Sequence, residues 1–278
     1  MSEQTRSENL REEKIEIQES GESFQKKKRK FFVKTGLSVR AALKMHKEAG
    51  LWGEGDEDWR RVSKHCLAEV ARADLLADKF GFSEEIKKDL AVATALHDFY
   101  KKREMAKRTK HGLSLSGLMQ SSKEADVMLR DRGFSERITR LSGAASLPSL
   151  PETEKILSKN NLGEEDIAFL VLHYVDDIST ESDWVGPAEI IEGGCKINIL
   201  DRRLDQAAKS GRYDALNEEG RKFFEGRTSC EEEKRVGHMV EERLAGLLRE
   251  RGEFRVDDPK DLPYLIDQQV KAKIEAQD

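Results

Sequence analysis

The sequence predicts an all-α protein, and three observations carry that prediction. Apolar residues recur at spacings of three and four along most of the chain. Strand-like alternation is scarce. Ala, Leu, Glu, Lys and Arg dominate and only five of the 278 residues are proline. These dominant side chains lose little rotamer freedom in a helix.

Hydrophobic and charged residues each make up 37% of the chain. That is enough apolar material for a core, wrapped in a very polar surface or polar tails. A net charge of −5 argues against a general nucleic-acid binder and leaves room for local basic patches. Cys66, Cys195 and Cys230 lie far apart, without CxxC spacing. They read as neither a disulfide framework nor a zinc ribbon, which fits a reducing compartment. No apolar stretch reaches transmembrane length, and the N-terminus lacks a hydrophobic signal core. A cytoplasmic chain with no membrane partner is expected.

Taken in order, residues 1–34 form a polar N-terminal tail. Residues 1–23 hold too few apolar side chains to offset chain entropy, so they are expected to be mobile. Lys26, Lys27, Lys28, Arg29 and Lys30 form a basic run before Phe31 and Phe32. Contact with a polyanion, nucleic acid included, stays open there beside a plain solvated tail. The helical domain is expected over 35–215. Leu37, Val39, Ala42, Leu43 and Met45 predict a short helix ending near Gly50. Trp59, Val62, Cys66, Val70, Ala73 and Leu76 predict a long one over 58–79, stopped by Gly81. Ser83 is placed to cap the next helix, with Glu84 and Glu85 at its positive end. Ile86, Leu90, Ala93 and His97 share one face of it. The basic stretch 103–111 reads as a loop, 114–131 as a helix, and the residues after Ser135 as a shorter helix. The proline-bearing 146–152 reads as a connection. An apolar helix follows, Ile167 to Val175. Later helices are expected near 187–209, 213–225, 230–250 and 261–276, and 216–278 is set apart as a C-terminal helical extension. In that extension Met239, Val240, Leu244, Leu247 and Leu248 make an apolar stripe, which packs on the core or forms a homodimer.

The sharpest chemical signal is Ala95-Leu96-His97-Asp98. His97 falls on the core-facing stripe, where a polar group needs a partner, and Asp98 sits at its polar edge. A divalent metal would satisfy both, since imidazole and carboxylate suit zinc, manganese, iron or, less well, magnesium. His65 on the preceding helix and Asp176 on the later apolar helix complete a constellation of four ligands on three helices, which a helical core can bring together.

The order H…HD…D resembles the HD-domain superfamily of metal-dependent phosphohydrolases. Residues 65–80, HCLAEVARADLLADKF, resemble that family's helix of the form H-x-x-x-V-A-x-x-A-x-x-L-A. Residues 94–101, TALHDFYK, resemble its L-L-H-D-I-G-K signature, with Phe99 at the Ile position and Tyr100 at the Gly position. Residues 170–178, LVLHYVDDI, resemble its closing helix, and the segment from Asp201-Arg202-Arg203 to Arg212-Tyr213 resembles material that follows the core in some relatives. The resemblance spans roughly 58–215.

The resemblance implies an HD-domain-like helical bundle with extra N- and C-terminal helical segments, hydrolysing a phosphomonoester or phosphodiester. The substrate would be a small phosphorylated compound, a nucleotide among the candidates. His65, His97, Asp98 and Asp176 would be the metal ligands, with Asp177 as rival for the last place. Asp98 would also orient the attacking water. Lys101 would assist catalysis, and Lys101, Lys102, Arg103 and His111 would contact the substrate. Relatives with two metals use extra histidines. His111 stands where the first would fall, but 136–146 supplies no second, so one ion (Mn, Fe, Zn, Ni, Co or Mg) is expected rather than two. His173 reads as a hydrogen-bonding core residue, and His46 and His238 receive no role. The incomplete second site and Tyr100 keep a second reading open, a regulatory HD protein that binds without turnover. An HD-type iron oxygenase, which needs the full six-ligand set, ranks third.

Overall fold

A computed structural model describes residues 13–17, 29–33, 37–51, 57–111, 114–179, 184–211 and 213–276. The described residues are overwhelmingly helical, so the all-α expectation holds. The helices are α1 Leu37–Glu48, α2 Glu57–Lys79, α3 Glu84–Leu96, α4 Lys101–His111, α5 Leu115–Asp131, α6 Glu136–Ser142, α7 Leu150–Leu157, α8 Glu164–Asp177, α9 Ile199–Lys209, α10 Asp214–Phe223, α11 Ser229–Glu250 and α12 Leu262–Glu275. Two short antiparallel ribbons accompany them. The strand β1 (Glu13–Ile17) pairs with β2 (Arg29–Val33), and β3 (Glu189–Ile190) pairs with β4 (Lys196–Ile197). Part of the expected N-terminal tail is therefore ribbon. Lys26, Lys27 and Lys28 lie outside the described residues, whereas Arg29 and Lys30 belong to the β2 backbone.

Helix α8 organises the molecule. Every residue from Ile167 to Val175 is buried, as in a helix covered by neighbours on all sides. Its neighbours are α2, α3 and α11. Leu76 of α2 and Phe80 just after it, Leu90 of α3, Leu170 and Tyr174 of α8, Val240 and Leu244 of α11, and Ile266 of α12 belong to one buried cluster. The expected boundary at 215/216 thus does not separate two cores. The apolar stripe of α11 is spent inside the molecule, with Val240, Leu244 and Leu248 fully buried and Met239 exposed.

The connection from α2 to α3 is tight. Gly81 adopts a positive φ of 60°, and the amide of Phe82 donates to the Ala77 carbonyl at 3.0 Å. Ser83 takes the N-cap position as expected, but its hydroxyl donates to Glu164 Oε2 of α8 at 2.8 Å instead of capping its own helix. A second lock ties α2 to α12. Arg72 Nε and Nη2 donate to the two Asp267 oxygens at 2.7 and 2.9 Å, and Arg72 Nη1 donates to Ser179 Oγ at 2.6 Å. All three residues are buried.

Three expectations about elements fail for identifiable reasons. Residues 103–111 continue α4 instead of looping, because Lys, Arg, Glu, Met and Ala are all good helix formers even without an apolar stripe. Within 146–152, Pro148 and Pro151 open a 3-10 turn and α7. Proline suits the start of a helix, where its missing N–H leaves nothing unpaired. The stretch 187–198 forms the β3–β4 ribbon, closed by Gly193 and Gly194 with φ of 92° and 79°. Among the described residues no helix is long and apolar enough to cross a membrane.

Candidate metal centre

Helices α2, α3 and α8 converge on four side chains. His65 and Glu69 stand one turn apart on α2, His97 follows the last turn of α3, and Asp176 sits near the end of α8. One ligand-type atom from each lies within 4.8 Å of the others, so the group could hold a metal ion. The His65 Nε2 atom is 2.8 Å from Glu69 Oε1 and 3.1 Å from Asp176 Oδ1. His97 Nε2 is 3.3 Å from Glu69 Oε2 and 3.5 Å from the same Asp176 oxygen. Three of these residues are ones the sequence singled out. Glu69 was passed over.

Glu69 is the unusual member. Its side chain is 0% exposed, and neither carboxylate oxygen has a hydrogen-bond partner, so its only close neighbours of opposite charge are the two imidazoles at 2.8 and 3.3 Å. His97 Nε2 is likewise buried and without a partner. Buried polar atoms are almost always paired, and a lone buried carboxylate is costly. The other ring nitrogen of His97, Nδ1, donates to the Thr94 carbonyl at 2.8 Å, which leaves the Nε2 lone pair aimed at the group. A backbone acceptor on the far nitrogen is the usual support of a metal-bound imidazole. Two imidazoles and two carboxylates are a donor set that divalent transition metals accept, and an ion at their centre would satisfy the Glu69 oxygens and His97 Nε2, leaving the far nitrogen of His65, Nδ1, without a partner.

The electrostatics point the same way. Burial lowers the pKa of His65, but Glu69 and Asp176 outweigh it and push the imidazole up to about 10. His97 is raised for the same reason, with Glu69 again the main opposing cause. Burial raises the Asp176 carboxyl, yet Arg203 and the two histidines hold it well below the usual carboxylate range. These side chains therefore favour positive charge between them, and protons and a cation compete for one place.

Asp98 stands beside the group and outside it. Its Oδ1 accepts from Lys101 Nζ at 3.1 Å, and its Oδ2 lies 3.9 Å from His97 Nε2. Of the expected ligand set of His65, His97, Asp98 and Asp176, the group that could hold an ion contains His65, His97 and Asp176 together with Glu69, and Asp98 is not in it. Asp177, the rival for the last place, faces the opposite way. It is buried 3.4 Å from His173 Nε2 under α11, where Gly237 makes room for its carboxylate. His173 donates from Nδ1 to the Ala144 carbonyl at 2.9 Å, as a core histidine. His46 is fully buried between Ser63 and the Ala95 carbonyl, and His238 pairs with Asp201 and Glu241.

One side of the group opens into a cleft of about 200 Å³, whose lining includes His97, Asp98, Lys101, Asp176, Arg203 and Tyr213. Of the expected substrate contacts whose side chains are described, Lys101 lines it and Lys102 and Arg103 do not. Lys102 turns the other way and donates to the Gly50 carbonyl at 2.9 Å. Arg103 lies over the Tyr100 ring and donates to Met128 Sδ. Successive helix positions point about 100° apart, so adjacency to Lys101 in sequence places neither beside it. His111 ends the α4 backbone, and its side chain lies outside the described residues. Tyr100 is buried at the cleft wall, with its hydroxyl donating to Glu124.

Glu69 carried a signal in the sequence. It stands four residues after His65, on the face of α2 that also carries Ala73 and Leu76, both fully buried. It also occupies the position where the family form has Val. Arg203 carried a weaker signal, its basic residue in the segment after the closing helix. Compared with family models, curated proteins and solved structures, the chain matches none.

Proposed function

We propose that the protein is a metal-dependent phosphohydrolase of the HD type, acting on a small phosphorylated compound such as a nucleotide. The observation that carries this reading is the buried Glu69 carboxylate, without a hydrogen bond, grouped with two imidazoles and Asp176, of which His97 and Asp176 line an open cleft. His65, Glu69, His97 and Asp176 would hold a single divalent ion. When bound, such an ion supplies an acidified water and neutralises charge growing on phosphoryl oxygens. Asp98 lines the cleft beside His97, with its Oδ2 3.9 Å from His97 Nε2, and would orient the water there. Lys101 keeps Asp98 ionised, since its ammonium, next to the opposing effect of burial, is the main cause of that carboxyl's lowered pKa.

A second reading, binding without turnover, draws on one observation. Lys101 already engages the carboxylate that would handle the water.

The deciding experiment is metal analysis of the purified chain, followed by phosphatase and phosphodiesterase assays with added manganese, cobalt, nickel and magnesium. The phosphohydrolase reading expects His97→Ala to lose both metal and activity, and Asp98→Asn to lose activity while keeping the metal. Metal uptake without turnover on any phosphoester would favour the second reading. A chain that takes up no metal would overturn the phosphohydrolase reading.

A further inference from the structure

The cleft beside the metal group is poor in positive charge. Its described lining includes the carboxylates of Asp98, Asp176, Glu233, Asp126 and Glu104, and its only lysine or arginine side chains are Lys101 and Arg203. Lys101 is engaged with Asp98 at 3.1 Å. An anionic substrate therefore needs another cationic anchor besides the ion, and Arg203 has the geometry for it.

Arg203 projects from α9 toward the end of α8. Its Nη1 donates to the backbone carbonyl of Asp176, one of the last carbonyls of a helix, where positive charge is favoured. Its Nη2 lies 3.7 Å from Asp176 Oδ2 and 3.7 Å from Glu233 Oε1. Both distances are too long for hydrogen bonds. A guanidinium carries five donors in a planar fork that matches phosphate geometry. Here one donor is committed to the α8 backbone, and the side chain is 26% exposed on the cleft. The same group thus anchors the backbone of a proposed ligand and presents unused donors beside that ligand's outer oxygen.

We propose that Arg203 is the phosphate-binding guanidinium of the cleft and at the same time the positioning residue for Asp176. The proposal rests on the functional reading above and deepens it. The substrate's phosphoryl group lies between the ion and Arg203, and its organic part extends along the lining formed by Leu118, Leu147, Leu204, Tyr213 and Leu216. Because the cleft is otherwise acidic, phosphate binding requires the metal to be loaded first.

The test is calorimetric titration of inorganic phosphate into the full chain, with and without manganese, alongside a separate manganese titration. The wild-type chain is expected to bind phosphate only when loaded. Arg203→Gln at saturating manganese is expected to lose about tenfold in phosphate affinity, the scale of one charge-assisted hydrogen bond. Its manganese affinity is expected to fall about tenfold as well, as when a supporting partner of a ligand is removed. Arg203→Lys keeps the charge without the fork. It should recover part of the phosphate affinity, and it decides the matter if the Gln variant does not fold. Lys102→Gln, which removes a charge that points away from the cleft, should stay within about twofold of wild type. Phosphate affinity unchanged in manganese-loaded Arg203→Gln or Arg203→Lys, or an equal loss in Lys102→Gln, would overturn the phosphate role. Unchanged manganese affinity would overturn the positioning role. A wild-type chain that takes up no manganese would instead overturn the functional reading, and this proposal would fall with it.

Discussion

Replacing Glu69 with Gln keeps the shape of the side chain and removes one charge from the centre of the site. The carboxylate is 0% exposed and lies 2.8 and 3.3 Å from the two imidazole Nε2 atoms, so the substitution acts on the metal group and on nothing at the surface. An ion that binds only the folded chain, at a free concentration of about a hundred times its Kd, adds about 2.7 kcal/mol of stability. For a chain of 278 residues that corresponds to a rise in Tm of roughly 5–10 °C, taking roughly 2–4 °C per kcal/mol. Losing a ligand should cost at least the roughly hundredfold in affinity seen when a supporting partner is lost. At the same ion concentration the variant would then gain only about 0.4 kcal/mol, or roughly 1–2 °C. The assay is thermal melting followed by circular dichroism, with and without manganese, paired with calorimetric binding. A pH arm adds a second constraint. The His65 pKa is raised to about 10, because Glu69 and Asp176 outweigh the opposing effect of burial, so a bound ion must displace protons from the imidazoles. Metal affinity should therefore rise from pH 6 to pH 8. A Glu69→Gln variant that keeps the full thermal gain would refute the placement of Glu69 among the ligands.

Two further predictions concern the frame around the site. Arg72→Ala should cost about 3–5 kcal/mol in urea unfolding, because it strands the buried Asp267 carboxylate. The double replacement Arg72→Met with Asp267→Leu should recover much of that loss, and a single variant as stable as wild type would contradict the lock. His238 is raised to about 9 by its hydrogen bonds to Asp201 and Glu241, above its unfolded value of about 6.5. Its contribution is fully present below pH 6.5 and lost as pH rises through about 9, so the urea midpoints of wild type and His238→Gln should differ at pH 6 and converge by about pH 10.

The fold was legible wherever an apolar stripe of helical spacing had to face a core. Helices α2, α3, α8 and α11 were all readable from that spacing, and their buried faces are the ones it marks. Legibility failed where the decisive information was not hydrophobic. Helix α4 has no apolar stripe and stands on helix propensity, so its charge was mistaken for a loop. Pro148 and Pro151 looked like breakers but sit where a helix begins, and only the chain's path decides between those two uses of proline. The direction of a basic side chain was legible nowhere. Lys101, Lys102 and Arg103 are neighbours in sequence, and they face the cleft, the Gly50 carbonyl and the Tyr100 ring respectively.

Three of the four expected ligands, His65, His97 and Asp176, fall in the group that could hold an ion, and Glu69 joins them. His65, His97 and Asp176 are polar residues on otherwise apolar helix faces, and each was noticed for that reason. Glu69 satisfies the same criterion more strongly. Cys66, Leu67, Ala68 and Val70 around it are each 1–3% exposed, and a carboxylate in such company is almost never left without a charged partner. It was missed because the family form fixed attention on Asp98, the residue beside His97 in the chain. Asp98, however, has a cation three residues away on its own helical turn, Lys101, and that pairing satisfies it without an ion. Glu69 has no lysine on its own turn, and its ion-pair partners are the imidazoles of His65 and His97. Of two carboxylates near one histidine, the better candidate ligand is therefore the one whose burial leaves it no other partner. The paired Glu69→Gln and Asp98→Asn variants test that criterion directly, since it expects loss of metal in the first and retention of metal in the second.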